Sequence, residues 1–166
     1  LTEAKLHLKV EHTTDDSLIT TLIKAATDEV ESYTNRVLMS TVFDYQLSEI
    51  TDDLIKLPVS PVTALTTVKY YDSSNVEQTF AAGNYFYSLY EEPLTINFIT
   101  LPEPYSYRVD AINIRFTAGY SDAASVPSAL KQAVLLLVGD MYENRGDVPR
   151  ERFTMWKQLV YPYKVF

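Results

Sequence analysis

The strongest constraint on the fold is a change of hydrophobic period along the chain. Apolar residues recur at helical spacing near both ends and alternate with polar residues through the middle. Helical spacing buries one stripe of a helix, whereas alternation buries one face of a strand. The order helices, strands, helices is typical of an α+β fold and argues against a βαβ series. The 166 residues suffice for one domain, which we predict to span 1–166 with a β-rich insertion at about 41–117.

Two helices are predicted at the N-terminal end. Thr2 is placed to cap a short first helix, and Asp15 or Asp16 to cap a longer second one. The second helix carries a regular apolar stripe with charged residues on the opposite face. Asn35 suits the left-handed conformation that ends a helix.

The middle of the chain is predicted to form antiparallel strands, because it is rich in Tyr, Val, Thr and Phe at alternating positions. The turn residues 72–75 join two of these strands into a hairpin. The predicted strands are 41–47, 54–57, 65–71, 76–80, 85–90, 94–99 and 109–116.

The last third returns to helical spacing. Pro127 suits the first turn of a long helix that we expect to reach Arg145, with Gly146 as its stop. Apolar residues extend around more than one side of this helix, which predicts cover by the chain's own sheet or by a neighbouring subunit. After Pro149, a short amphipathic helix with an extended tail is too short to be stable alone, so it must dock.

Composition and charge exclude several classes of protein. The absence of cysteine excludes disulfide scaffolds, thiol enzymes and cysteine-ligated metal sites. No apolar run approaches the ~20 residues of a membrane helix. Fourteen basic and 22 acidic residues give a net charge of −8, which argues against a surface that grips phosphates. Residues 145–166 hold five basic and two acidic side chains, which suits contact with an acidic partner surface or reflects chance placement.

Candidate catalytic residues are scarce. His7 and His12 lack the neighbours of a zinc site, and surface or capping roles explain them better. The acidic pairs at 15–16, 52–53 and 91–92 are adjacent in sequence, so their side chains do not converge on one atom. Four glycines leave no phosphate-binding loop, and no nucleophile elbow is present. The sequence therefore favours a structural or binding role.

Aromatic residues cluster in the predicted β region. Packing in the core and on the sheet face, a protein interface, and stacking on sugars or bases all remain open for them. The seven tyrosines concerned are Tyr70, Tyr71, Tyr85, Tyr87, Tyr90, Tyr105 and Tyr107.

An ordered set of short motifs resembles the head–tail connector (adaptor) proteins of tailed bacteriophages and prophages. The resemblance spans nearly the whole chain, although Asn35 stands where that family often has Gly and the β region is long. The motifs are Leu1–Val10, Tyr33-Thr34-Asn35-Arg36, Leu57-Pro58-Val59-Ser60-Pro61-Val62, Val68-Lys69-Tyr70-Tyr71-Asp72, Phe116-Thr117-Ala118-Gly119-Tyr120, Val126–Ala133, Tyr142-Glu143-Asn144-Arg145 and Leu159–Val165.

The resemblance implies a structural virion protein, made in the host cytoplasm, that takes part in virus assembly and DNA packaging. Such proteins dock on the portal protein and form a ring with copies of themselves, normally twelvefold. The ring extends the DNA channel and offers a platform to a stopper or tail-completion protein. Double-stranded DNA is expected to pass without sequence-specific binding. No catalysis, cofactor, metal or membrane contact is implied.

Two sets of interface residues follow, and a carbohydrate- or surface-binding module of a phage tail remains the alternative. The subunit-interface set is Leu130, Val134, Leu135, Leu137, Val138, Met141, Tyr142 and Arg145. The set for docking on the portal or another partner is Phe153, Trp156, Leu159, Tyr161, Tyr163, Lys164, Val165 and Phe166.

Overall fold

The computed structural model describes residues 1–144 and 155–166, which fall into two compact units. The helical unit comprises Leu1–Leu38 and Ala123–Lys164, and the β unit comprises Met39–Asp122 with Val165–Phe166. Helices and antiparallel sheets together confirm the predicted α+β class.

The helical unit has the four helices that the apolar spacing predicts within its described residues. A single 3₁₀ turn, Tyr161–Tyr163, follows the last of them. The helices are α1 (Thr2–Leu8), α2 (Asp16–Thr34), α3 (Ser128–Glu143) and α4 (Met155–Val160). Helix α3 therefore ends two residues before the predicted Arg145, which lies outside the described residues.

The helix ends agree only in part with the sequence prediction. Asn35 ends α2 in the left-handed conformation (φ 54°, ψ 32°), as predicted. The prediction for Thr2 is wrong, because helix α1 begins at that residue and Leu1 takes the N-cap position. Asp15 takes the N-cap position of α2 without a side-chain capping bond, and its carboxylate accepts a hydrogen bond from the Tyr142 hydroxyl instead.

Seven strands form two antiparallel sheets in the β unit. The strands are β1 (Thr41–Leu47), β2 (Leu54–Lys56), β3 (Val62–Tyr71), β4 (Glu77–Thr79), β5 (Tyr85–Tyr87), β6 (Thr95–Phe98) and β7 (Ile112–Ala118). The four-stranded sheet has the order β1-β7-β3-β4, and the three-stranded sheet has the order β2-β6-β5. Strand β7 begins three residues later than predicted, and β5 ends at Tyr87 because a turn begins at Ser88.

Strand β7 lies at the centre of the β unit's core. Its even-numbered residues are fully buried, which is the alternation that the sequence predicts. Phe116 stacks on Phe43 of β1 with ring centroids 5.5 Å apart. Burial of one such apolar side chain contributes about 1.5–3 kcal/mol.

The predicted hairpin joins β3 to β4. The Asp72 carboxylate accepts hydrogen bonds from the backbone N–H groups of Ser74 (2.9 Å) and Val76 (3.1 Å). Asn75 adopts a left-handed conformation with φ 59°. These contacts explain why a turn forms here, since Asp and Asn side chains support such backbone geometry.

Candidate assembly surfaces

One face of α3 belongs to the core of the helical unit. Leu130, Ala133 and Val138 have no exposed surface, and the helix packs against α1, α2 and α4. Helix α2 contributes Ile19 and Val30 to the same buried region. This face of α3 is therefore used within the protomer.

The predicted subunit-interface residues divide accordingly. Leu130, Leu137 and Val138 are buried within the protomer, so these three support the helix and offer no surface to a neighbour. The interface prediction narrows to the half-buried members of the set on α3, which keep part of their surface accessible: Val134, Leu135, Met141 and Tyr142. Arg145 lies outside the described residues.

A cleft of about 380 Å³ lies between α1 and the first half of α3. Leu6 of α1 lines it and is 80% exposed, and the half-buried Leu135 lines it from α3. A Cβ atom on Gly139 would stand 3.4 Å from Nε2 of His7, so α1 packs directly over Gly139. His7 thus contributes to helix packing. No feature of the sequence signals that Leu6 is exposed.

The C-terminal segment packs aromatic rings and cations against the end of α2. The rings of Tyr33 and Trp156 meet edge to face with centroids 5.3 Å apart. The Nζ atoms of Lys157 and Lys164 lie 5.5 Å and 4.6 Å from the centroid of the Tyr33 ring. Cation–π contacts of this kind contribute about 0.5–1 kcal/mol each at exposed sites. They hold two basic residues of the C-terminal segment beside one aromatic ring.

Arg36 fixes the end of this segment. Its Nε donates a 2.6 Å hydrogen bond to the carbonyl oxygen of Tyr163, and its guanidinium carbon lies 5.8 Å from the centroid of that tyrosine ring. The motif that ends in Arg36 is part of the family resemblance, but it does not indicate what Arg36 binds. A bond across 127 residues leaves no local signal that sequence reasoning can use.

The predicted docking residues also divide by exposure. Trp156 and Val165 are buried at 2% and 7% exposure, so both serve the fold. Tyr161 and Phe166 are exposed at 61% and 80%. The half-buried members are Leu159, Tyr163 and Lys164. Phe153 lies outside the described residues.

Most tyrosines of the β unit pack against their own chain. Tyr85 is buried between Phe80 and Phe98, with ring centroids 6.3 Å and 5.9 Å away. The Arg108 guanidinium carbon lies 3.6 Å from the centroid of the Tyr71 ring. Two tyrosines remain strongly exposed, namely Tyr90 and Tyr107 at 100% and 87%. Packing within the protomer therefore accounts for much of the aromatic cluster.

The β unit is strongly acidic. Its sequence holds four Lys and Arg against eleven Asp and Glu. Three of the four cations form ion pairs within the unit: Lys69–Glu77 (2.6 Å), Arg108–Asp110 (2.6 Å) and Arg115–Asp44 (2.8 Å). Hydrogen bonds from the arginines lower the pKa values of the Asp44 and Asp110 carboxyls. The unit therefore presents a surface that repels phosphates.

The described residues contain no arrangement suited to metal binding. Across 1–144 and 155–166, no three His, Asp or Glu side chains converge to hold an ion. Of the acidic neighbours, Asp15 and Asp16 have different partners: Asp15 accepts a hydrogen bond from Tyr142, and Asp16 forms a 2.7 Å ion pair with Lys5 of α1. Among the same residues, no helix combines the length and apolarity that crossing a bilayer requires.

Comparison with known proteins identifies relatives of the whole fold. Three similar solved chains come from gene transfer agent (GTA) particles. Each match covers 99% of the present chain and 87–88% of the GTA chain. They come from the neck of an empty particle (25% identity, TM-score 0.84), a native virion (24%, 0.84) and the neck of a native particle (25%, 0.81). No curated protein sequence matches.

A family model described as head completion protein matches residues 1–154. This match and the fold shared with GTA neck proteins confirm the resemblance to head–tail connectors that the sequence motifs indicated. The chain belongs to the head completion protein family.

Proposed function

We propose that the protein is a structural component of a virion neck, where it docks on the portal protein and forms a ring that extends the DNA channel. In this proposal residues 1–166 act as one connector domain whose β unit is an insertion, and the ring supports the next stopper or tail-completion protein. The observation that carries the proposal is the family match over residues 1–154, together with a fold shared over 99% of the chain with GTA neck proteins. One of those necks was computed with C6 symmetry and another with C12 symmetry, and the second supports a twelvefold ring.

Imaging tests the proposal directly. The protein is mixed with the portal protein of the same virion and examined by negative-stain electron microscopy. We expect a second annulus beneath the portal ring, with about twelve copies per portal. Portal rings that gain no density, at protein concentrations well above those of the portal, contradict the proposal.

The outer side of α3 is the proposed contact between copies. Val134 keeps apolar surface accessible on α3, whereas Leu6 and Leu135 line the cleft between α1 and α3. A closed ring requires two different surfaces to meet, and an apolar side of one copy can fill a cleft on the next. A Leu135→Glu substitution introduces a charge at this contact and should abolish rings while the free protein still folds cooperatively.

A matched control places the same charge elsewhere on the helical unit. Ser32 is exposed on α2, so Ser32→Glu should leave both folding and ring formation intact. If Leu135→Glu and Ser32→Glu give equal yields of rings, Leu135 and its side of α3 do not form the contact between copies.

The C-terminal segment that follows α3 is the proposed docking element for the portal. Deleting 161–166 should abolish portal binding, yet it also removes the buried Val165 and the Tyr163 carbonyl that Arg36 binds. Tyr161→Ser and Phe166→Ser change exposed side chains alone and give a cleaner test. We expect both variants to fold normally and to bind the portal at least about tenfold more weakly, which is the loss of roughly 1.4 kcal/mol. Unchanged binding would assign portal docking to another surface.

A further inference from the structure

Strand β1 is the outer strand of the four-stranded sheet. It pairs with β7 in unbroken register from Thr41 opposite Ala118 to Leu47 opposite Ile112. No strand within residues 1–144 or 155–166 pairs with its other side. A seven-residue strand thus forms an open edge.

The hydrogen bonds of β7 show which groups face that edge. The backbone N–H of Tyr71 donates to the Ala111 carbonyl, and the N–H of Gly119 donates to the Pro61 carbonyl, both at 2.8 Å. Odd-numbered residues of β7 therefore bond towards β3. Because bonding direction alternates along an antiparallel strand, the even-numbered residues bond towards β1.

The register extends this alternation to β1. The residues opposite even-numbered positions of β7 are odd-numbered, so these residues bond inward to β7. The intervening residues direct their backbone N–H and C=O groups outward, away from the sheet. They are Val42, Asp44 and Gln46.

The other sheet edges are protected in ways that β1 is not. Strands β2, β4 and β5 have three residues each, and β2 contains Lys56 and precedes Pro58. Strand β1 has no Pro, Gly or Lys, and its one charged residue, Asp44, is neutralised by two 2.8 Å hydrogen bonds from Arg115. Native proteins usually blunt long edges with such devices because an open edge is a template for pairing.

Side-chain burial agrees with a missing neighbour. The inward-bonded residues of β1 include Phe43, Tyr45 and Leu47, which are only half-buried, whereas the alternate residues of β7 are fully buried. A further strand would lie about 4.8 Å outside β1 and would cover the exposed flank of these three side chains.

We propose that the β1 edge pairs with an extended segment of a second copy of this chain. The proposal rests on the proposed ring. Charge favours this edge, because the acidic β units of two copies repel each other wherever their carboxylates meet, and the edge of β1 is locally neutral through the Asp44–Arg115 pair.

The ring also limits which part of the second copy can pair. Two β1 edges pair only about a twofold axis, which closes a dimer, so a ring needs a segment of the second copy other than β1.

Hydrogen exchange measured by mass spectrometry tests the pairing on the intact protein, free and in assembled rings on the portal. The outward amides of Val42, Asp44 and Gln46 gain hydrogen bonds in the proposed contact, and we expect their exchange to slow at least about tenfold. The control is the opposite edge of the same sheet. Phe80 N–H donates to the Val68 carbonyl, so the amides of Glu77 and Thr79 point outward and should exchange at the same rate in both states.

Proline substitution tests the same groups. Gln46→Pro removes one outward N–H, a change that an edge strand tolerates, and Thr79→Pro is its matched control. We expect Gln46→Pro to fold yet lower the yield of rings at least about tenfold, and Thr79→Pro to assemble like the wild type. Val42→Lys, which places a charge at the edge, gives a second reading if Gln46→Pro fails to fold.

The outcomes separate the two proposals. If the wild type forms no ring, both the proposed function and this contact are overturned. If rings form while the β1 amides stay unprotected, or form equally with Gln46→Pro and Val42→Lys, this contact alone is overturned. Protection of β1 in a variant that binds the portal without forming rings, such as Leu135→Glu, overturns the second copy as the occupant, and so does protection that appears only after a third neck protein joins the rings.

Discussion

Replacing Gly119 by Ala tests how the chain leaves β7. Gly119 has φ 106°, in a region that side chains rarely adopt. A Cβ atom there would lie 2.5 Å from the Met39 carbonyl oxygen, 2.6 Å from the Met39 carbonyl carbon and 2.9 Å from the Ser40 nitrogen. All three atoms belong to the backbone, so no side chain can rotate away to relieve the contact.

The expected cost follows from these two features. A residue forced into a sparsely populated backbone conformation costs about 1–3 kcal/mol. Adding a carbon to packed surroundings costs about 1–3 kcal/mol more. Together they predict a loss of about 2–6 kcal/mol in the free energy of unfolding. For a chain of 166 residues, each kcal/mol lowers the melting temperature by about 2–4 °C, so the shift should exceed about 4 °C.

Gly83→Ala supplies the matched control, since a Cβ there meets no atom within 4 Å. The same methyl group should then be neutral or stabilise by up to about 1 kcal/mol, through the unfolded state. Urea denaturation followed by circular dichroism measures both variants, with the slope m expected to stay constant. A Gly119→Ala variant that lies within about 0.5 kcal/mol of the wild type would refute the reasoning, because that is the range of ordinary surface substitutions.

Three further predictions concern stability. Because the pKa values of Asp44 and Asp110 are lowered, both carboxylates stabilise the fold above the ordinary carboxyl pKa of 3.8, and this contribution is lost as pH falls through their folded-state pKa values. The urea concentration at the unfolding midpoint should therefore decrease when the pH is lowered below 3.8. The decrease should be smaller in the Asp44→Asn/Asp110→Asn double variant. Phe116→Ala should cost about 3–5 kcal/mol in calorimetry, and Phe116→Leu clearly less. Trp156 is the single tryptophan and is buried, so its fluorescence should shift to the red when the helical unit unfolds in urea.

Local chemistry made part of this fold predictable. The period of apolar residues identified the helices and most strands, and Asn35 marked the end of α2 correctly. Asp72 predicts the hairpin turn because its carboxylate accepts bonds from backbone N–H groups within a few residues, and Asn75 does so because it tolerates the left-handed conformation found there. Each of these features depends on neighbours in sequence, which is why the sequence alone reveals it.

Features that depend on distant contacts were missed. Nothing in the sequence places β7 between β1 and β3, since the pairing partners lie tens of residues apart. The apolar stripe of α3 did not distinguish core from interface, and the structure buries Leu130 and Val138 within the protomer. Asp15 or Asp16 is predicted to cap α2, and Asp15 does take the N-cap position, yet its carboxylate bonds to Tyr142, 127 residues away.

The distribution of cations bears on how DNA would pass such a ring. Three of the four cations in the β unit are paired with carboxylates of the same unit, so its acidic surface has little positive charge to offer to phosphates. In the C-terminal segment, Lys157 and Lys164 lie over the ring of Tyr33. A channel wall built from the β unit would therefore repel DNA and let it slide, because affinity for DNA comes mainly from cations that neutralise phosphates. If the assembled ring bound DNA with an affinity that falls steeply as salt is added, its channel wall would have to be basic. The described residues of the β unit do not provide such a wall.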